Sequence, residues 1–106
     1  MDIWFEISKL SGQTLKTLDQ RKPFDVVVHR EAVIVRPHKN KIERQISREA
    51  IENACRKLFD AGEITRAEIR EGFSEFNPAY VAAILAALPN VHHSIRPIRL
   101  WISKKA

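Results

Sequence analysis

Basic side chains that can bind phosphate oxygens are concentrated in two parts of this 106-residue sequence. Residues 36–57 contain seven lysines and arginines against three glutamates, and residues 96–106 contain four against no acid. A cation in a flexible loop beside a helix start suits phosphate, because its charge and the helix dipole act in the same direction. The predicted polyanion site is a basic loop and helix start, helped by the tail, and consists of Arg36, Lys39, Lys41, Arg44, Arg48, Arg96 and Arg99.

Other cations have a structural interpretation that competes with binding. Arg66 and Arg70 share a predicted helix face, but glutamates crowd them, which favours structural ion pairs. Trp101 lies among the basic residues of the tail and can stack on a base, whereas a tryptophan at strand spacing is more often part of the core. Lys104 and Lys105 are interpreted as a frayed, solubilising end.

The sequence offers no convincing catalytic or metal site. Its three glycines are far apart and form no phosphate-binding loop. Cys55 falls on the apolar side of a predicted helix, where an inert core thiol is expected. His92 and His93 are adjacent, and no cysteine or carboxylate stands near them at ligand spacing. We therefore predict that the protein is not an enzyme and binds neither a metal nor a cofactor.

The composition favours one globular domain over residues 1–106. The chain is 44% apolar and 29% charged, which is typical of a single folded core. The lone Cys55 and an N-terminus without a secretory signal favour the cytoplasm. The longest apolar run, residues 79–88, is too short for the roughly 20 residues that cross a bilayer, so no membrane span is expected.

The first part of the chain, residues 1–36, is predicted to be mainly β. Short apolar or β-branched runs at residues 3–7, 14–18, 24–28 and 32–35 alternate with turn residues, which is typical of an antiparallel meander. Pro37 is expected to end the last of these strands, because proline donates no ladder hydrogen bond.

Residues 47–90 are predicted to form three helices. Ser47 can cap the first and Gly62 can end it, while Thr65 and Glu68 form a capping box for the second. Asn77 can cap the third, which has Pro78 at its first position and is expected to run to residue 88. A final strand at residues 95–102 is expected to return to the N-terminal sheet, bringing Trp101 to the sheet that carries Trp4. The predicted fold is α+β, with an N-terminal antiparallel meander packed on a three-helix half that ends in a strand.

Three short helices, the second with a capping box and the third begun by a proline, followed by a strand, resemble the winged helix-turn-helix superfamily over residues 46–102. The resemblance implies that the third helix enters the major groove of DNA. Its base-facing positions would be Asn77, Ala79, Tyr80, Ala82, Ala83 and Ala86. The third helix departs from the pattern, because after Asn77 it carries no Lys, Arg, Gln, Ser or Thr for base edges.

The third predicted helix also supports a different function. It is apolar all round, and a smooth alanine face lets another helix approach closely, either within the chain or from a second copy. The residues of this alternative contact are Phe73, Phe76, Ala79, Ala83 and Ala86.

Three functions therefore follow from the sequence. The leading prediction is a small, cytoplasmic, prokaryotic-type DNA-binding protein that contacts mainly the phosphate backbone. The alternative is a protein-interaction or homodimerisation module. The third is an accessory or inhibitor subunit of a larger nucleic-acid enzyme.

Overall fold

The computed structural model describes residues 2–103, and its elements form an α+β fold, as predicted. In its first half they are α1 (Ile3–Ser8), β1 (Thr14–Lys16), β2 (Pro23–Val28), β3 (Ala32–Pro37) and β4 (Arg44–Ser47). In its second half they are α2 (Arg48–Ala61), β5 (Glu63–Thr65), α3 (Arg66–Gly72), α4 (Pro78–Ala86), β6 (Val91–Ile95) and β7 (Ile98–Ile102).

The first sheet is an antiparallel meander in which β1, β2, β3 and β4 are neighbours in chain order. Val26 pairs with Val35, and Val33 pairs with Ile46, so their side chains share one face of the sheet. All four side chains are buried. The predicted four-stranded meander is confirmed, although one of its four strands is not the one that the sequence indicated.

Residues 3–7 form α1 rather than the predicted first strand. The Asp2 carboxylate accepts a hydrogen bond from the Phe5 N–H, 3.1 Å away, which caps the helix. Trp4 and Ile7, three residues apart, are the buried side chains of this helix. The apolar and aromatic composition therefore resembles a strand, but the cap and the i, i+3 spacing select a helix.

The fourth strand is β4, in a segment predicted to be loop. It pairs with β3, Val35 opposite Arg44 and Ala32 opposite Ser47. Only Ile46 is fully buried among its four residues, so the strand offers little hydrophobic signal. Its conformation depends on the unpaired edge of β3, which a local pattern does not reveal.

The first two predicted helices are confirmed. The Ser47 side chain accepts from the Ala50 N–H at the start of α2, and Gly62 ends that helix with φ of 87°. This positive φ favours glycine, because a β-carbon is strained there. At the start of α3, the Thr65 and Glu68 side chains and backbones complete the predicted capping box.

The third predicted helix, α4, begins at Pro78 as expected but ends at Ala86 rather than residue 88. The Asn77 side chain makes no capping hydrogen bond. Its Oδ1 atom is buried and has no hydrogen-bond partner among residues 2–103. The sequence signal for a cap at Asn77 is therefore not used, and Pro78 alone marks this helix start.

The predicted final strand is instead the end of a hairpin. β6 and β7 pair antiparallel, with Ile95 opposite Ile98 and a cis Arg96–Pro97 bond in the turn. β7 lies between β5 and β6 in a second, three-stranded sheet. It does not return to the first sheet, and Trp4 lies on α1 rather than on a strand.

The helix α4 joins the two sheets. It contacts β1 of the first sheet and β6 and β7 of the second. The Tyr80 ring on α4 meets the Phe24 ring on β2 edge to face, with ring centroids 5.0 Å apart. Buried side chains from both halves form one hydrophobic cluster.

Candidate nucleic-acid interface

The predicted polyanion site is divided by β4. Arg44 begins this strand and Arg48 follows its end, and four extended residues span about 13 Å. The Arg48 N–H donates to the Glu31 carbonyl, and its guanidinium donates to the Arg30 carbonyl. The basic loop therefore lies at one end of the sheet and the start of α2 at the other. The prediction that the loop runs directly into a helix start is wrong.

Three of the predicted arginines are occupied by acidic partners. Arg36 Nε is 2.5 Å from Glu43 Oε2, and the Arg48 and Arg99 guanidinium groups pair with Glu52 and Glu63 at 3.2 and 2.6 Å. Arg48 also lies over the Trp4 ring, 4.9 Å from its centroid. Such pairs weaken the attraction to phosphate, because part of each positive charge is already compensated.

Arg44 is held inside the fold. It lies on the same sheet face as Ile46, and its guanidinium is 5.7 Å from the centroid of the Tyr80 ring. Its Nε atom is buried and has no hydrogen-bond partner among the described residues. Arg44 therefore connects the first sheet to α4 more than it faces a ligand.

The other predicted cations are available. Lys39, Lys41 and Arg96 are exposed, and none forms an ion pair with another residue in the range 2–103. Lys39 and Lys41 lie in the β3–β4 connection, and Arg96 lies in the β6–β7 turn.

Strand register brings a second basic connection beside the first. Lys16 pairs with Pro23, and Phe24 pairs with Pro37, so residues 17–22 and 38–43 lie at the same end of the sheet. The His38 N–H donates to the Pro23 carbonyl at 3.1 Å, which ties the two connections together. Residues 17–22 contribute two exposed cations that the sequence did not single out, Arg21 and Lys22.

Arg66 and Arg70 of α3 are also exposed and form no ion pair among the described residues. Two of the glutamates that were expected to neutralise them have other partners, because Glu63 pairs with Arg99 and Glu68 pairs with Lys57, and Glu71 forms no ion pair among residues 2–103. The prediction of a structural ion-pair role for these two arginines is therefore wrong.

Two adjoining concave surfaces connect α3 to the sheet and to the hairpin. A cavity of about 160 Å³ is lined by Lys22 of the β1–β2 connection, by Arg66, and by Tyr80 of α4. A neighbouring concavity of about 470 Å³ is lined by Arg66 and Arg70 and by both residues that flank Arg96. Asp19 is the acid that lines both. We give the name basic end to the exposed cations of α3, of the β6–β7 turn and of the two neighbouring sheet connections: Arg21, Lys22, Lys39, Lys41, Arg66, Arg70 and Arg96.

On the outer sheet face, the acids near the basic end are compensated. Asp25 Oδ1 is 2.6 Å from the Thr14 hydroxyl and 2.8 Å from His38 Nε2. The hydrogen bond from Thr14, followed by that from His38, lowers the pKa of Asp25 below its usual value. A concavity of about 430 Å³ joins these groups to the Arg36–Glu43 pair and to Lys41. Lys41 is therefore the unpaired charge of this surface.

The helix that the winged-helix resemblance assigns to the major groove is enclosed. Ala82 and Ala83 are buried, and the Tyr80 ring packs on Phe24. Ala86 is half-buried against the core. Ala82 and Ala83 cannot reach base edges while the protein is folded, because neighbouring elements cover their side of α4.

The same burial removes Ala83 from the predicted protein-interaction face. Ala83 is 4% exposed, and Phe73 is half-buried against the core, whereas Ala79 and Ala86 are only partly accessible. The prediction that Ala83 meets another chain is therefore wrong. Phe76 differs from the rest, because 81% of its surface is exposed.

Trp101 lies on the outer face of the second sheet rather than in the core. The His92 ring stacks beside it with centroids 6.0 Å apart, and the Arg99 guanidinium lies 4.6 Å from its ring centroid. Arg99 is engaged by both Trp101 and Glu63, so it is not an open phosphate contact. Lys104 and Lys105 lie outside the described residues.

The other functional features to consider in residues 2–103 are a reactive thiol, a metal site and a membrane-spanning helix. Cys55 is fully buried, and burial raises the pKa of its thiol to about 11. Within residues 2–103, no three His, Cys, Asp or Glu side chains are grouped to hold a metal ion. Nor does that range contain a helix long and apolar enough to cross a bilayer.

No family model, curated protein or solved structure matches this chain. The functional argument therefore depends on the charge and geometry of the basic end.

Proposed function

We propose that this protein is a non-enzymatic nucleic-acid-binding protein that holds the phosphate backbone of duplex DNA at the basic end. The observation that carries the proposal is that four chain segments present exposed cations: Lys22, Arg66 and Arg70 line adjoining concavities beside the β6–β7 turn, and the connection with Lys39 and Lys41 lies beside the one with Lys22. None of these cations has an ion-pair partner among residues 2–103. Such a group attracts a polyanion strongly, because phosphate binding releases the counterions that surround DNA.

The proposed contact is with the backbone rather than with base edges. Lysine and arginine in connections and on a helix surface can reach phosphates at any sequence. Direct reading of the major groove needs an accessible helix or ribbon with hydrogen-bonding side chains, and α4 is enclosed and apolar. We therefore expect similar affinity for unrelated DNA sequences.

A winged-helix-like layout of the second half remains part of the proposal. It is supported by the order α2, β5, α3, α4, β6, β7, with β7 central in the three-stranded sheet. In this arrangement the β6–β7 turn with Arg96 forms a short wing beside Arg66 and Arg70. Because the Tyr80 ring of α4 packs on Phe24 of the first sheet, the proposed phosphate contacts are at the rim of α4 rather than along it. The proposed compartment is the cytoplasm.

Fluorescence anisotropy of a labelled random-sequence duplex at several salt concentrations tests the proposal. The variants are Lys39→Ala with Lys41→Ala, and Arg66→Ala with Arg70→Ala. The control removes the same formal charge elsewhere, by Lys9→Ala with Arg30→Ala, and it includes one cation that is paired in the wild type, Lys9 with Glu6. Arg30 lies in the β2–β3 connection at the opposite end of the sheet, and Lys9 follows α1, whose Trp4 contacts Arg48 at that end.

Each binding-site double variant is expected to weaken duplex binding about 10-fold or more at low salt. It is also expected to reduce the slope of log affinity against log salt by about 2, because each lost phosphate contact contributes about 0.9. The control is expected to change affinity less than about 3-fold, through long-range charge alone. Equal losses in all three double variants, or no binding by the wild type, would overturn the proposal.

A further inference from the structure

Phe76 is the most exposed large apolar side chain among residues 2–103. Its exposed fraction is 81%, compared with 62% for Ile42, 58% for Phe5 and 42% for Ile95. The residue lies between α3 and α4, on a segment anchored by the Phe73 and Ser74 N–H groups, which both donate to the Ile69 carbonyl. A phenyl ring that is held out of the core in this way is available for contact with a ligand.

The ring lies beside two cations of the basic end. A concavity of about 460 Å³ is lined by Arg66, Arg70, Glu75, Phe76 and Pro78. Arg66 and Arg70 are four residues apart and share a face of α3. Both arginines also line the neighbouring concavity that contains Ile95 and Pro97. The two guanidinium groups therefore have an exposed apolar surface on either side.

This combination distinguishes single-stranded from duplex nucleic acid. In a duplex the faces of the bases are covered by neighbouring bases. An exposed phenyl ring therefore has no base on which to stack, and it gains little from contact with the sugar-phosphate backbone. An unpaired base offers its face for stacking, and cations beside the ring can hold the flanking phosphates. Glu75 is the acid of this concavity, and it favours a neutral base over a phosphate next to residues 75 and 76.

We propose that Phe76 stacks on an unpaired base while Arg66 and Arg70 hold the phosphates beside it, so that the preferred ligand is a duplex with a single-stranded extension. This inference rests on the proposed function, because the duplex part would occupy the rest of the basic end. It adds a ligand class that backbone contacts alone do not select.

The test compares a labelled blunt duplex with the same duplex bearing a short oligothymidine overhang, by anisotropy at fixed salt. The variants are Phe76→Ala, which removes the ring, and Phe76→Tyr, which retains a stacking surface. Phe5→Ala is the matched control, because it removes an exposed phenyl ring from α1, outside the basic end. Analytical ultracentrifugation of each protein without DNA accompanies the titrations.

The wild type is expected to bind the overhang duplex about 10-fold more tightly than the blunt duplex. Phe76→Ala is expected to abolish that preference and to leave blunt-duplex affinity unchanged, whereas Phe76→Tyr and Phe5→Ala are expected to retain it. Equal affinity of the wild type for both duplexes would overturn this inference and leave the proposed function standing. Binding of the overhang without any binding of the blunt duplex would support the stacking site and overturn the proposed duplex function.

Self-association is the other outcome to be measured. A wild-type dimer that Phe76→Ala converts to monomer, with no change in overhang preference, would assign the ring to a second copy of the chain and overturn the stacking site. A sedimentation profile that is the same for both proteins, together with loss of overhang preference, would support it.

Discussion

At the scale of single residues, the clearest chemical consequence of the fold concerns Cys55. Its side chain on α2 has no exposed surface, and burial raises the pKa of the thiol from 9.0 to about 11. Below pH 9 the thiol is protonated in both the folded and the unfolded chain, so its titration has no effect on stability. Between pH 9 and 11 only the unfolded chain loses this proton, and stability therefore falls by about 1.4 kcal/mol per pH unit.

We predict that Cys55→Ala reduces this alkaline loss. Between pH 8.5 and 10.5 the wild type is expected to lose roughly 2 kcal/mol more stability than the variant, because the variant has no thiol to ionise. Urea unfolding at each pH measures the difference. A thiol-specific disulfide reagent supplies an independent check at pH 7.5. Rapid modification of the native wild type would contradict the burial of Cys55.

At the scale of elements, α4 has a packing role that its sequence does not reveal. The helix is apolar all round because it contacts β1 of one sheet and β6 and β7 of the other. Ala82 and Ala83 are small where these neighbours approach closely, and both are buried. A substitution on this face should therefore affect folding rather than association.

We predict that Ala83→Glu destabilises the protein by about 3–5 kcal/mol, because it forces an unpaired carboxylate into the core. Ala87→Glu, at the exposed C-terminal end of the same helix, is the control. It is expected to cost less than about 1 kcal/mol, mostly from the helix dipole. Thermal and urea unfolding measure both effects. A folded Ala83→Glu protein with wild-type stability but an altered oligomeric state would contradict this assignment.

At the scale of the whole molecule, two sheets share one core. The hydrophobic cluster contains Trp4 and Phe24 from the first half and Ile64 and Leu100 from the second. Neither half can lose its packing without exposing buried side chains of the other. Small proteins with one shared core of this kind usually unfold in a single transition.

We predict that both halves unfold together. Trp4 reports on α1, and Trp101 reports on the second sheet, so Trp101→Phe and Trp4→Phe each leave a single fluorescent probe. Within each variant, the urea midpoint from fluorescence is expected to equal that from circular dichroism, because both halves lose the shared core at once. A fluorescence midpoint that differs from the circular-dichroism midpoint of the same variant would show that the halves unfold independently.

Local signals explain which parts of the fold the sequence predicts correctly. Ser47 and Gly62 bound α2, and Thr65 with Glu68 begins α3, through contacts that span no more than four residues. Such contacts depend on neighbours in the chain, so they can be inferred without tertiary structure. The β-branched runs of β2 and β3 are similar, because their alternation already defines a buried face.

The candidate site is less predictable from sequence, because it depends on where distant charges meet. Lys39, Lys41 and Arg96 were identified from charge density, and the structure leaves them exposed. Arg36 and Arg99 were identified in the same way, but Glu43 and Glu63 reach them through strand pairing and side-chain packing. The number of charges in a segment can be read from its sequence. Which opposite charges become neighbours depends on the tertiary structure.

The sequence by itself determined the α+β class, the caps of α2 and α3, the buried thiol of Cys55 and the excess of basic residues. Only the tertiary structure decided that Arg44–Ser47 is a strand and that α4 is enclosed. It also decided that Lys22 of the β1–β2 connection and Arg66 of α3 line one cavity. The physical reason is that caps and periodicity act over a few residues, whereas strand pairing, burial and charge compensation depend on residues that are far apart in the chain.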